Sequence, residues 1–523
     1  MSPEDHRMNA TYRSNQGNQG SLPTMQETCN HSNQVIAPSV PDIITTDVAI
    51  IGNGPSGICL SYMLSGHWPY FNGKHHPNQY LHQRLKEQAE LSILEQDLEY
   101  LSDGLEGRSS NPVSLLFDAL HHPNADLGCS EPTCLEWRYN PRNKIPHVVL
   151  GKGLPGGAWQ DMKNSKLTLS LRNWMEMPGL SFTEWLQENH QKEVSDDGTD
   201  DTRASFSDVS KYYTDFVEAA NIKDNFLSHV HVKSVRRIKG RNINCESGEN
   251  EGFSDVEQAG LENTLFEVIC QHGNEGEGQP YDFKIHAKNV VLASGISDLP
   301  NKLEVPGENL PFVRYQLNDL EQAIADGEIT TSSDPIVVVG AGLSAADVVL
   351  YARQKGVPVI HVVRRSVHDQ AIILKQLPSA VYPEYHEVYE MMKTGGDPAR
   401  GYQCYDNSEV TEIQEGKTVV ITNAGHSMSI KTSMVMVMIG ARPNLSYLCC
   451  NGQSLGMNPK QPISKNNPIV TDQYTNESIV SPGIYGMGAL VGSNFVRFLT
   501  GGALAIVSHL TKYGYLQKMR SED

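Results

Sequence analysis

A strand-like apolar run that breaks into a glycine-rich turn and restarts as a helix occurs twice in this chain, and few folds accommodate it. The first copy is Ile43–Ile51, then Gly52-Asn53-Gly54-Pro55-Ser56-Gly57, then the apolar segment Ile58–Leu64. A near-continuous apolar run fits a strand buried on both faces of a parallel sheet. In such a turn Gly52 permits the tight bend, Gly54 lets the backbone approach a pyrophosphate, and Gly57 lets helix and strand pack closely. The helix N-terminus, with Pro55 and Ser56 in its first turn, then offers unpaired N–H groups and a positive dipole end to the phosphates. The second copy is Pro335–Val339 followed by Gly340-Ala341-Gly342-Leu343-Ser344-Ala345-Ala346-Asp347, where Ala345 takes the third glycine's place. Two such units in one chain predict two bound dinucleotides.

The residues after the second helix bear on which dinucleotide binds there. Val357–Val363 reads as the next strand and ends in Arg364-Arg365. A site for NAD carries an acid at this point to hold the ribose hydroxyls, whereas arginine suits a 2′-phosphate. NADPH is therefore the expected nucleotide, with a solvated basic turn as the alternative reading. Three more apolar runs end in small residues: Val290–Gly295, Met434–Pro443 and Gly483–Gly488. In two-dinucleotide flavoproteins such strands close the FAD domain, cross between domains and return the chain to the flavin. Gly295 and Gly488 thereby join the candidates for FAD contact. The predicted fold is α/β, an FAD Rossmann-like domain split around an inserted NADPH Rossmann-like domain. Residues 1–42 form a disordered tail, 43–302 the first part of the FAD domain, 303–433 the NADPH domain and 434–523 the FAD domain's C-terminal part.

Composition narrows the function classes. A chain of 523 residues exceeds one compact core. Its net charge of −19 leaves no basic stripe for nucleic acid and none for a polybasic membrane anchor. Residues 1 to about 41 are rich in Asn, Gln, Ser and Pro and cannot bury enough surface to offset ordering entropy. Acidic loops are expected at about Glu193–Asp208 and Glu246–Gln258, with another loop at Gly273–Gly278. Neither a secretory signal nor a long apolar span occurs, which points to the cytosol or nucleus and to no membrane span. The nine cysteines have an odd count and no Cys-x-x-Cys spacing, so neither a disulfide framework nor a disulfide reductase is expected.

Several segments resemble a known family. Gly156-Gly157-Ala158-Trp159 resembles an element that follows the first dinucleotide unit in flavin-containing monooxygenases. Leu169–Pro178 resembles the segment that passes their flavin ring, and Phe206–Tyr213 followed by Phe216 their helix leading into a small sheet. More closely, Asp47 to Leu510 is similar throughout to the oxidative stress-induced growth inhibitor family. The most specific pieces are Leu94–Arg108, Leu154–Trp159 and Asn494–Gly502. The resemblance implies an FAD- and NADPH-dependent monooxygenase acting through a C4a-peroxyflavin and tied to proliferation, cell death and cell division. It adds Gly157, Trp159, Arg497 and Gly501 to the cofactor candidates, and it makes Trp159 and Asn173 candidates for the flavin face. Substrate and regulatory protein partners stay open.

The chain also departs from the monooxygenase pattern. Val305–Tyr315 keeps a Pro-Gly pair but lacks the histidine of the Phe-x-Gly-x-x-x-His signature, and Gly488-Ala489 stands where many flavoproteins have Gly-Asp. Either change weakens the case for oxygen transfer while sparing FAD binding. An NADPH oxidase releasing hydrogen peroxide, or a cofactor-binding regulator with little turnover, are the alternatives. For the FAD ribose, Leu91–Glu95 reads as the second strand with Glu95 at its end. Asp97 is the alternative acid, and Ile145–Leu150 is a rival strand with no acid at its end. His67, His121 and His122 sit in polar, turn-like sequence and read as surface residues.

Overall fold

The computed structural model describes residues 43–129, 131–162, 166–190, 203–239, 265–273 and 280–522. The N-terminal tail and most of the three expected loops lie outside these. Arg203–Ser205, expected in the first loop, instead forms a short strand, and the helix expected from Phe206 runs over Phe206–Ala219, capped by the Ser205 hydroxyl. The sequence reads Ser-Phe-Ser-Asp there, an N-cap ahead of an amphipathic run.

The apolar run at Ile43–Ile51 is the central strand (β1) of a seven-stranded sheet. The helix Pro55–Leu64 (α1) follows the glycine turn. Beside β1 lies His147–Leu150 (β2), parallel, with Val48 opposite His147. On the other flank runs the long strand Tyr281–Leu292 (β3), also parallel to β1. The first half of β3 pairs with the antiparallel strand Leu265–His272, and its last three residues pair with the parallel strand Ile484–Gly486. Beyond β2 lies Phe226–Leu227. The parallel strands thus stand in the 3-2-1-4-5 order of a doubly wound nucleotide-binding sheet. One apolar cluster joins α1 and β1 to the helices Pro112–His121 and Val496–Glu522.

The second glycine unit builds its own sheet. Ile336–Val339 (β4) leads through the turn into the helix Leu343–Gln354 (α2). Parallel strands Val359–Val362 (β5) and Tyr402–Tyr405 continue on one side, and Val435–Val437 lies on the other. Both faces are covered: Ile336, Val338 and Met436 pack into one apolar cluster, while Val337, Val339 and Val435 pack into another. That double burial is why these strands read as unbroken apolar runs.

Two sequence-based placements need correction. The run Met434–Ile439 falls in the C-terminal part of the FAD domain by the sequence division, yet its strand pairs with β4. The crossing between the two units, expected of the run Met434–Pro443, lies near its end, at the short ribbon of Leu299–Pro300 with Ala441–Arg442. An apolar strand does not declare which sheet it joins, because both interiors reward it equally. The second correction concerns Leu91–Glu95, which is no strand beside β1. It is a turn in which Ser92 bridges to Tyr70 and its N–H donates to the Glu95 carboxylate, with Glu95 exposed. Ile93 and Leu94 are nonetheless fully buried, so a strand-like apolar content serves core packing rather than pairing.

Candidate functional site

The C-terminal ends of β1 and β3 meet around the first glycine turn. Gly52 has φ +118, and a Cβ there would lie 2.4 Å from the Ala293 carbonyl oxygen. The turn is therefore held against the end of β3, where Gly295 follows with open space around it. Gly57 packs onto the turn so closely that a Cβ would lie 2.1 Å from the Gly52 oxygen. Gly54 differs. It caps α1 in extended backbone with Pro55 at the first helical position, and an added Cβ meets nothing nearer than the Gly156 oxygen at 4.0 Å. An added Cβ at Gly54 thus has open space, whereas at Gly52 and Gly57 it would run into backbone at once.

Other sequence candidates converge on the same turn. The Gly156 N–H donates to the Asn53 carbonyl at 2.9 Å, and a Cβ on Gly157 would lie 2.9 Å from Gly54 Cα. A Cβ on Gly488 would lie 2.5 Å from the Ser56 hydroxyl oxygen, so the returning C-terminal strand delivers Gly488 to the first turn of α1. Trp159 is half-buried and packs edge-on against Phe206 and Tyr213. Asn173 lies in a helical turn, Arg172–Met175, and its Oδ1 is buried with no hydrogen-bond partner among the described residues. Asn53 is buried, and its amide N–H donates to the Gly153 carbonyl at 2.7 Å, pinning the loop after β2.

Two candidates belong to packing instead. The Arg497 guanidinium is committed to Asp118 at 2.5 Å and Asp126 at 2.9 Å, and it stacks over Trp174. A Cβ on Gly501 would lie 2.3 Å from Ser114 Cα, so this glycine permits the C-terminal helix to cross the helix Pro112–His121. Glu95 does not stand at the end of β2, because its segment is a turn and not a strand. The chain there reads Leu150-Gly151-Lys152, with no acid, and the Lys152 ammonium pairs with Asp298 at 2.5 Å.

The second turn repeats the geometry. Gly340 has φ +134, and a Cβ would lie 2.3 Å from the Met438 oxygen. Gly342 caps α2 with φ −91, and an added Cβ meets nothing within 4 Å. Ala345 is fully buried, as a third-position small residue must be, and Ser344 is exposed in the first turn of α2. Arg364 and Arg365 follow β5 and are exposed, and neither has an ion-pair partner among the described residues.

Two histidines that sequence reasoning passed over buttress these turns. His361, on β5, is fully buried; its Nε2–H donates to the Gly340 carbonyl at 2.6 Å and its Nδ1 accepts from the Tyr402 hydroxyl at 2.8 Å. His147, on β2, donates from Nδ1 to the Ile145 carbonyl and accepts at Nε2 from the Ser61 hydroxyl of α1, both at 2.8 Å. Burial pushes both imidazoles down to about 4, which keeps them neutral. The available signal was a lone histidine inside an apolar strand run.

Two cradles at helix N-termini, each beyond the C-terminal end of a central parallel strand, define a two-dinucleotide-binding flavoprotein of the α/β class. The family described as pyridine nucleotide-disulphide oxidoreductase matches residues 250–488. Over 473 residues the chain is 44% identical to oxidative stress-induced growth inhibitor 1 of Mus musculus, covering 89% of this chain and 95% of that protein. Oxidative stress-induced growth inhibitor 2 of Homo sapiens is 42% identical, over 88% of this chain and 92% of its own length. The chain belongs to the oxidative stress-induced growth inhibitor family. Among solved structures, a bacillithiol disulfide reductase from Staphylococcus aureus shares the fold at 13% identity and a TM-score of 0.53, covering 90% of this chain and 99% of its own. Among the described residues, no helix is long and apolar enough to cross a membrane.

Proposed function

We propose that this chain is an FAD- and NADPH-dependent monooxygenase of the cytosol or nucleus that acts in the control of cell growth, cell death or cell division. The observation that carries the reading is the pair of open cradles at Gly54 and Gly342, where added Cβ atoms meet no protein atom closer than 4.0 Å while the flanking glycines are jammed. Backbone left bare at a helix N-terminus is suited to a pyrophosphate. Asn173 supports the FAD assignment, because its buried Oδ1 lacks, among the described residues, a partner that a flavin N–H would supply.

In this reading α1, with Gly52, Gly54, Pro55, Ser56 and Gly57, holds the FAD pyrophosphate, while Gly157, Gly295 and Gly488 wall the turn. Trp159 and Asn173 line the flavin. Gly340, Gly342, Ser344 and Ala345 hold the second nucleotide, and the unpaired Arg364 and Arg365 take its 2′-phosphate. Bound FAD supplies hydride acceptance and oxygen activation, so few protein acids or bases are required. The growth role rests on the names of the relatives.

Thiol chemistry at α1 is disfavoured. Cys59 is the cysteine of that helix, and burial pushes its thiol up to about 12, leaving no thiolate for exchange. The missing histidine in Val305–Tyr315 favours a second reading, an oxidase that releases peroxide. The test is the ratio of hydrogen peroxide formed to NADPH consumed, with and without cell extract as a source of substrate. A ratio that falls when extract is added supports the oxygenase. A ratio near unity in every condition supports the oxidase, and no NADPH consumption leaves a cofactor-binding regulator.

A further inference from the structure

The histidines expected at the surface are not there. His121 ends the helix Pro112–His121 and His122 caps it, and both are at least half-buried. Glu176 follows the helical turn Arg172–Met175 that carries Asn173. One ligating atom from each of His121, His122 and Glu176 lies within 4.8 Å of those from the other two. Successive residues on an α-helix project about 100° apart and do not share a ligand. Here the helix stops. His122 has φ −129 and ψ 67, outside the helical region, and its ring swings beside that of His121 with centroids 4.3 Å apart.

We propose that His121, His122 and Glu176 form a three-ligand site for a zinc-class divalent cation, bridging the end of the helix Pro112–His121 to the loop that carries Asn173. The strongest support is His122 Nδ1, which is buried and has no hydrogen-bond partner among the described residues. The nearest acceptor, Asp118 Oδ1, is 3.7 Å away and is already engaged by Arg497. A buried imidazole nitrogen that makes no hydrogen bond calls for a ligand.

The surroundings suit such an ion. His121 Nδ1 lies 3.3 Å from the Thr133 hydroxyl, which itself donates to the Leu120 carbonyl. That arrangement makes Nδ1 the protonated nitrogen and leaves Nε2 with the lone pair, as second-shell bonds do for metal-bound histidine. The Glu176 carboxylate is oriented by the Phe182 N–H at 2.9 Å and the Ser181 hydroxyl at 3.2 Å. Arg497 does not oppose a cation, because Asp118 and Asp126 neutralise it. Two imidazoles and one carboxylate match the zinc pattern with a fourth position left for water, and they are too nitrogen-rich for calcium or magnesium. Zinc–ligand bonds of about 2.0–2.2 Å set tetrahedral ligand separations near 3.4 Å. The three side chains reach that spacing by closing little more than an ångström.

The test uses full-length, flavin-loaded protein stripped with EDTA and titrated with zinc chloride against a chromophoric chelator. Elemental analysis and thermal melting are read in parallel. One zinc bound per chain with a raised melting temperature is expected. His122→Ala and Glu176→Gln should each weaken zinc by at least roughly tenfold while flavin content stays at the wild-type level. Should His122→Ala fail to hold flavin, Glu176→Gln alone decides the matter, because that change keeps the shape of the side chain and one oxygen to accept from the Phe182 N–H and the Ser181 hydroxyl. A wild-type chain that takes up no zinc, or variants that bind it as tightly as wild type, overturns the site.

Discussion

The two glycines of the second turn are predicted to fail in opposite ways. At Gly342 the backbone sits at φ −91, a conformation any residue adopts, and an added methyl meets nothing within 4 Å. Gly342→Ala should therefore leave stability within about 0.5 kcal/mol of wild type, or raise it by about 0.4–1 kcal/mol through the unfolded chain. At Gly340 the backbone sits at φ +134, and the same methyl would lie 2.3 Å from the Met438 carbonyl oxygen. That carbonyl belongs to backbone just past the strand Val435–Val437 and has no free rotation. Backbone strain of about 1–3 kcal/mol adds to the displacement, so Gly340→Ala should cost at least about 2 kcal/mol. Binding reverses the order of severity. A Gly342→Trp chain should fold and keep its flavin colour, because the first turn belongs to another sheet, yet lose at least about 1.4 kcal/mol of NADPH affinity, a factor of ten. The assay is flavin absorbance, thermal melting and anaerobic NADPH titration, with dithionite as the reductant that bypasses the nucleotide. Unchanged NADPH binding by Gly342→Trp, or a Gly340→Ala chain as stable as wild type, would refute the reasoning.

Two further outcomes follow from charges at the same unit and its counterpart. Replacing Arg364 and Arg365 together by Ala should weaken NADPH by about 1.5–3 kcal/mol and leave NADH unchanged, since only the former carries the 2′-phosphate; equal losses in competitive titrations would remove the assignment. Acid should unfold the chain in a window set by His147 and His361, whose folded values near 4 lie below the ordinary 6.5. The unfolded chain takes the proton first, so the stabilisation is intact above pH 6.5 and drains as pH falls to 4. At about 1.4 kcal/mol per pH unit each histidine removes about 3 kcal/mol across that window. A His361→Asn chain should show a shallower pH dependence in urea melts, and an identical slope would show that the imidazole does not titrate there.

What was legible in the sequence was legible because backbone chemistry leaves a local mark. Gly52, Gly57 and Gly340 are required by contacts a few residues or one strand away, so the turn could be read from type and spacing. The FAD unit's second strand was obscured for the opposite reason. Between α1 and His147 the chain inserts a hairpin, His67–Phe71 with Leu135–Tyr139, and several helices. Counting forward from Gly57 therefore met Leu91–Glu95 first, an apolar run that packs without pairing. Arg497 illustrates a different limit. Its motif is specific, but its partners Asp118 and Asp126 lie some 370 residues earlier, and nothing local announces that they have claimed it.

The repeated histidines make the same point more sharply. Neither His147 nor His361 looks functional in sequence, yet each stands on the strand next to a central strand and ties it to the glycine unit, through Ser61 of α1 in one case and the Gly340 carbonyl in the other. A polar side chain in an all-apolar strand costs about 1–3 kcal/mol if unsatisfied, so its presence there implies partners on both nitrogens. Both sets of partners hold the elements that shape the proposed phosphate cradles. Substitution of either histidine by a residue that loses one bond should loosen a cradle without touching a nucleotide, and its signature is weaker cofactor binding at unchanged cofactor specificity. For His361 that means NADPH and NADH losing affinity together, in contrast to the arginine pair, where they part. Should His361→Asn discriminate between the two nucleotides, the imidazole would have a direct role toward the 2′-phosphate, and the supporting role argued from Gly340 and Tyr402 would be wrong.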